Sequence, residues 1–334
     1  MTTARPKINP RVWQPPAAPA RAKQKSSEPP LPPLTTLDIG GVGPEDIVVA
    51  TDGAVFAGVE DGRILRIDPD RRTVATVANT GGRPMGIELL DDGLLVCDAY
   101  RGLLRVDPAS GAQEVLCAEA GGAPVWLCNN ATVAGDGTIY FTDSSQHFRV
   151  SHWAGDLFEH SGTGRVLRRD PDGHVEVMLD GLDFANGVAL AADESFVAVA
   201  ETGGYRIQRV WLTGERGGTV DSLADNLPGF PDNMARGSDG LLWVAMASPR
   251  NPILDMLLPR APVLRRAVWA LPESLQPVAK TTWVMALGDQ GEVVHDLQRS
   301  NETFYFTTGV RQAGGRVYLG SLYGTLLAWF DLPG

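Results

Sequence analysis

Cysteine is scarce in this 334-residue chain: Cys97, Cys117 and Cys128 are the whole complement. So small and odd a number excludes a disulfide framework. Neighbouring strands could bring Cys97 and Cys117 together, but the default expectation is reduced thiols in a cytoplasmic, reducing compartment. Positive charge is also short, with 29 Lys and Arg against 40 Asp and Glu and a net charge of −11. Such a surface repels a phosphate backbone and attracts cations, which argues against a nucleic-acid partner. No apolar run approaches the roughly 18 residues of a membrane span, so no transmembrane segment is expected. The N-terminal stretch lacks the apolar core of a signal peptide. Nucleophile-elbow, H-E-x-x-H and Walker A signatures are absent as well.

Turn formers are plentiful, with 38 Gly and 24 Pro, and 43% of residues are hydrophobic. One phrase recurs: an apolar strand, an Asp-Gly turn, a second apolar strand, a Gly turn, and a strand closing on Arg-x-Asp-Pro. It reads EDIVVATDGAVFAGVEDGRILRIDPD from Glu45 and MGIELLDDGLLVCDAYRGLLRVDPA from Met85. It returns from Asn129, Asn186, Asp232 and Thr308. Runs of four to seven β-branched and aromatic residues between Gly, Asp and Pro are strands joined by hairpins. Six four-stranded units predict an all-β fold, a six-bladed β-propeller, whose radial repetition protects strand edges. The sixth unit holds only three strands before the chain runs out, and the segment around Leu34 to Leu37 can supply the fourth. Residues 34–334 are therefore assigned to the propeller, and the Pro-rich residues 1–33 to a disordered or wrapping tail.

The hairpin turn serves as a ruler. Seven residues before it, the six units carry Glu45, Met85, Asn129, Asn186, Asp232 and Thr307. Radial symmetry gathers these into a ring at one end of the channel. Four of them, Glu45, Asn129, Asn186 and Asp232, bear carboxylate or carboxamide oxygens, the donor set of a hard divalent cation such as Ca²⁺ or Mg²⁺. Each taken singly is an ordinary turn residue; four of six in one phase is not. Register favours Asn129 over Asn130, which alternation turns the other way. Met85, Thr307 and its neighbour Thr308 are expected to face substrate.

Two long connections fall on the ring's side of the propeller, residues 144–162 and 248–282. The second is Leu-rich and interrupted by Pro252, Pro259, Pro262 and Pro272, which suits an apolar lid, a partner-binding edge or an oligomer contact. His147, just past a strand end, is a candidate acid–base group, whereas His174 and His295 fall on outer strands.

The motifs YFTDSS at 140–145, FANGV at 184–188, VAETGGYRIQRVWL at 199–212, PGFPDN at 228–233 and VYLGSL at 317–322 resemble the strictosidine synthase-like branch of the calcium-dependent propeller hydrolases. That group includes gluconolactonases, regucalcin, paraoxonases and the adipocyte plasma membrane-associated protein-like members. The resemblance spans about residues 35–331 and implies that Glu45, Asn129, Asn186 and Asp232 hold a catalytic metal, probed independently of the motifs only through the same strand register. In the condensing plant enzymes it implies a glutamate where this chain has Thr308, which counts against carbon–nitrogen condensation. The expected activity is hydrolysis of a hydrophobic lactone or aryl ester, with Ca²⁺ polarising the carbonyl and Asp232 or His147 assisting water. A non-catalytic propeller that binds a partner through the lid is the other reading.

Overall fold

The computed structural model describes residues 5–272 and 278–332. Six four-stranded antiparallel sheets form the blades. Their innermost strands are Ile47–Val49, Pro84–Leu90, Cys128–Val133, Ala185–Leu190, Gly229–Arg236 and Thr307–Ala313. Each touches the innermost strand of the next blade, and the sixth returns to the first, so the ring is closed. The sixth blade takes its outermost strand, Thr35–Asp38, from the start of the chain, pairing Thr35 with Trp329 and Asp38 with Leu326. Joining both ends of the propeller in one sheet removes the open seam that a ring of separate blades would leave.

The recurring Asp-Gly pairs do the local work. At Asp52, Asp136, Asp193 and Asp239 the side-chain oxygen accepts a hydrogen bond from the amide two residues on, at 2.8–3.0 Å. The following residue has positive φ: in three of these blades it is glycine, which adopts it without strain (Gly53 +82°, Gly137 +87°, Gly240 +81°), and in blade four, where the pair is Asp193-Glu194, it is Glu194 (+55°). Blades two and six depart from this pattern. Leu90 pairs directly with Gly93, and Ala313 with Arg316, so their turns contain two residues only.

No single core exists. Each interface between neighbouring blades has its own apolar cluster, as between blades four and five, where Phe196 and Ile207 meet Met246 and Trp283. Cys97, Cys117 and Cys128 are all buried, free thiols in the cluster between blades two and three. Burial decreases outward: Ala185–Leu190 and Phe196–Glu201 are buried along their full length, whereas outermost strands such as Thr73–Asn79 face solvent.

Residues 5–33 lie against the propeller. The Arg21 guanidinium spans both oxygens of Asp296 at 2.6 and 2.7 Å and covers the Trp283 ring. Leu31 is fully buried among Phe304, Phe330 and Trp243. Truncating a leucine so enclosed costs about 2–5 kcal/mol. Leu31→Ala is therefore expected to lower the urea midpoint markedly; an unchanged midpoint would mean that this segment contributes nothing to the fold.

Candidate metal centre and its apolar cavity

A cavity of about 590 Å³ opens over one end of the channel, and Glu45, Met85, Asn129, Asn186, Asp232 and Thr308 form its floor. All six are buried. They occupy one structural position. In every blade the residue two further on (Ile47, Ile87, Ala131, Val188, Met234, Val310) makes the first regular pair after the strand entrance. In five blades a bulge precedes that pair. Bulges re-aim side chains, and here they turn the floor residues toward the axis.

The positions immediately after the floor residues alternate in size around the ring: Asp46, Gly86, Asn130, Gly187, Asn233, Gly309. A Cβ on Gly86 would lie 2.5 Å from the Asn129 carbonyl oxygen, one on Gly187 2.2 Å from the Met234 nitrogen, and one on Gly309 2.7 Å from the Glu45 carbonyl oxygen. Glycine is required because neighbouring backbones nearly touch. The three larger residues tie the blades together. Asn130 donates to Asp46 Oδ2 at 3.0 Å and accepts from the Val188 amide at 3.0 Å, and Asn233 donates to Glu45 Oε2 at 3.0 Å. Asn129 thus belongs to the floor and Asn130 to the layer beneath.

The floor amides are oriented. Asn129 Nδ2 donates to Ser144 Oγ at 2.9 Å and Asn186 Nδ2 to Thr202 Oγ1 at 3.1 Å. Both carbonyl oxygens are buried and have no hydrogen-bond partner among the described residues. Unpaired buried oxygens carry a desolvation cost of about 1–3 kcal/mol each and call for an explanation. Electrostatics points the same way. Burial pushes the Asp232 carboxyl up to about 8. Burial, then the charges of Asp232 and Asp46, raise Glu45 well above the carboxylate range against the pull of Arg83. Asp46, also desolvated, is raised to about 6. Two carboxylates and two unpartnered carboxamide oxygens, with no thiol or imidazole beside them, fit a hard divalent cation. Among the described residues no cluster of three or more His, Cys, Asp or Glu could hold a metal, so any centre here depends on the amides for half its protein donors.

Above the floor the walls are apolar. Leu127, Phe184, Phe230 and Phe306 line the cavity, each two residues before a floor position. Phe184 and Phe306 have positive φ (65° and 59°), a strain accepted where the ring must be re-aimed. The same position in blades one and two holds Gly43 and Arg83, and Arg83 Nη2 donates to the Gly43 carbonyl at 2.9 Å. The two long connections complete the cavity. The first contributes Trp153 and Leu157 around the short helix α1 (Ala154–Glu159). The second contributes Ile253, Leu254 and Leu257 from α2 (Pro252–Leu257) and Val268 from α3 (Pro262–Trp269).

Two sequence expectations land elsewhere. Thr307 is buried against the Trp283 amide at 3.4 Å and does not line the cavity; its neighbour Thr308 does, donating to the Glu45 carbonyl oxygen at 2.7 Å. The ruler slipped because it was laid on Gly314, the first residue of the blade-six turn, whereas in the other blades the counted Asp is the second; the turn itself begins six residues past the floor in every blade. His147 also stands outside the lining, its Nδ1 held 2.7 Å from Glu159 Oε1. Sequence reasoning did not find Ser144, Thr202 or the apolar wall. Stepping the ruler back by two residues reads Leu127, Phe184 and Phe230 directly.

The fold is that of the gluconolactonase and regucalcin propellers. A gluconolactonase from Xanthomonas campestris superposes with a TM-score of 0.66 at 20% identity, covering 99% of both chains. Regucalcin from Agrobacterium tumefaciens, titled a calcium-binding protein, gives 0.62 at 12% identity, covering 91% of this chain and 94% of its own. Sequence narrows the assignment. Strictosidine synthase matches residues 129–215, and the strictosidine synthase-like N-terminal family matches residues 31–67. Adipocyte plasma membrane-associated protein from Danio rerio is 36% identical over 318 residues, 87% of this chain and 76% of its own. Strictosidine synthase-like protein 10 from Arabidopsis thaliana is 33% identical over 324 residues, 88% and 86% of the two chains. The chain belongs to the strictosidine synthase-like family.

Helix α1 is pinned by Asp156, whose Oδ2 accepts from Ser145 Oγ at 2.5 Å and Ser161 Oγ at 2.6 Å. Burial pushes this carboxyl up to about 7 despite those bonds, and the charges of Asp183 and Glu159 add to the rise. An acid raised on folding favours the protonated native state. Its stabilisation is complete below the unfolded value of about 4 and is lost as pH rises through the folded value. Asp156→Asn keeps one accepting oxygen and abolishes that loss. The wild type should lose more Tm than the variant between about pH 4.5 and about pH 7.5; parallel Tm profiles across that range would contradict the assignment.

Proposed function

We propose that this chain is a divalent-cation-dependent hydrolase of apolar lactones or aryl esters, with Ca²⁺ as the favoured ion. The observation that carries the reading is the pair of buried, oriented and unpartnered oxygens of Asn129 and Asn186 beside the carboxylates of Glu45 and Asp232, at the base of an apolar cavity. Those four side chains would hold the ion. Bound there, it would supply Lewis-acid polarisation of an ester carbonyl and offset the buried negative charge. Gluconolactonase and regucalcin relatives in fold support the reading, and so does the hardness of the donor set.

The chain's own residues supply the rest. Asp232 is the candidate base: it is both a donor to the proposed centre and part of the cavity floor, and its carboxylate can take a proton from water entering the cavity. Its Oδ1 accepts from the Asn233 amide at 3.1 Å, which fixes the carboxylate plane. Phe184, Phe230 and Phe306 bind the apolar part of the substrate and exclude bulk water, which strengthens every interaction at the floor. Met85 and Thr308 complete the floor, and Thr308 holds the Glu45 backbone in place. His147, committed to Glu159, takes no part. Condensation of the strictosidine synthase kind has no carboxylate at position 308 to serve it.

Purified protein is expected to hydrolyse aryl esters or apolar lactones, to lose that activity on thorough chelation, and to regain it with Ca²⁺. Asp232→Asn should lower kcat by at least about 10²-fold. Activity indifferent to chelation would remove the metal from the mechanism. Ser144→Ala and Thr202→Val, which release the amides, should each weaken Ca²⁺ binding by about 10–100-fold in calorimetric titration. Unchanged affinity would show that the hydroxyls do not orient the donors.

A further inference from the structure

Helix α3 is inverted. An amphipathic surface helix normally turns its apolar stripe inward and its charges outward. Here the buried positions are Arg265, with a relative exposure of 0%, and Trp269, while Val263 is 63% exposed and Leu264 45%. The buried arginine is anchored at both ends of its fork: Arg265 Nη1 and Nη2 donate to the carbonyl oxygens of Phe158 and Arg11, which ties the helix to α1 and to the N-terminal segment, while its Nε is buried without a hydrogen-bond partner among the described residues. The outward face is thus fixed, not a helix free to roll over. Leu271 just beyond it is 43% exposed, and on α2 Ile253 and Met256 are 61% and 53% exposed. Ile253 and Val268 both line the cavity, so its mouth opens beside this surface.

Among the described residues of the two segments that build this surface, the fully exposed charge is of one sign. Among described residues 5–16 and 250–272 the exposed ionisable side chains are Lys7, Arg11, Arg260 and Arg266; Asp255, the one carboxylate there, is only partly exposed and is paired with Arg250. The chain as a whole carries −11. An apolar helical face rimmed by cations, on an otherwise acidic molecule, matches an anionic bilayer surface in both hydrophobicity and charge. Among the described residues no helix is long and apolar enough to cross a membrane, so the contact would be peripheral.

We propose that the outward face of α2 and α3, with Lys7 and Arg260 at its rim, docks on anionic lipid and sets the cavity mouth against the bilayer. Apolar molecules dissolved in the membrane could then enter the cavity without crossing water. This docking does not depend on the hydrolase reading, since lipid binding is measured without turnover.

The test is flotation of the full chain with phosphatidylcholine vesicles that contain or lack phosphatidylglycerol, at about 0.1 M ionic strength, where surface charge still acts over about 10 Å. Two paired variants accompany it, Val263→Ser with Leu264→Ser, and Lys7→Glu with Arg260→Glu. These side chains are exposed, so both pairs should fold. The wild type is expected to float with the anionic vesicles only, and each pair to lower partitioning by about tenfold or more. Failure of the wild type to float, or equal flotation of the wild type and both pairs, overturns the proposal. A concentration-dependent dimer in sedimentation velocity that the serine pair dissolves would also overturn it, by assigning the face to a second copy of this chain.

Discussion

Glu45 and Asp232 are buried together on the cavity floor at the propeller axis, where the charge of Asp232 disfavours ionisation of Glu45 and that of Asp46 disfavours ionisation of both, and the site is organised around that constraint. Two desolvated carboxylates cannot both stay charged without a countercharge. The chain provides a partial one in Arg83, whose charge acts on Glu45, and one neutral donor in Asn233, which binds Glu45 Oε2 at 3.0 Å. The unpaired oxygens of Asn129 and Asn186 add negative potential at the same place. An arrangement this unfavourable without a cation is well matched to one, because a single dication relieves both the repulsion and the missing hydrogen bonds.

Three consecutive tiers of the inner strands divide the work. The lower tier alternates glycine with Asp46, Asn130 and Asn233, and lets backbones converge so that the floor residues reach a common axis. The middle tier carries the oxygen donors. The upper tier, two residues before them, holds Leu127 and three phenylalanines in four of the six blades and separates the donors from bulk water. The insertions and the N-terminal segment close the cavity above. Asn9 and Arg11 amides donate to Glu159, Trp13 stacks on His160 at 4.3 Å, and Arg250 reaches the Pro16 carbonyl. A polar base tied by hydrogen bonds between blades thus lies under a wall that the two long connections complete.

Much of this was legible in the sequence because a propeller writes its symmetry as repetition. The Asp-Gly phrase identified the blades, and the count back from it placed Glu45, Asn129, Asn186 and Asp232 in one ring. The same count missed Thr308 by one residue, since Gly314-Gly315 carries no capping Asp to mark the turn's second position and the count began from its first. Ser144 and Thr202 were invisible for another reason: each lies one residue past the end of a second strand, and only the pairing of strands brings their hydroxyls to the amides. His147 misled because loop sequence does not reveal that Glu159, twelve residues on, lies on the same short excursion and takes up its ring. The tail could be read only as wrapping or disordered, since its contacts with Asp296 and Gln298 lie more than 260 residues away in the chain.

The central claim is that four oxygen-bearing side chains converge to hold one hard ion, and crystallography with an anomalously scattering divalent ion tests it most directly. Crystals grown with Mn²⁺ in place of Ca²⁺ are expected to give one strong anomalous peak on the axis. It should be bounded by Glu45, Asn129, Asn186 and Asp232 at about 2.1–2.6 Å. A featureless axis at saturating ion, with Asn129 and Asn186 turned to other partners, would contradict it.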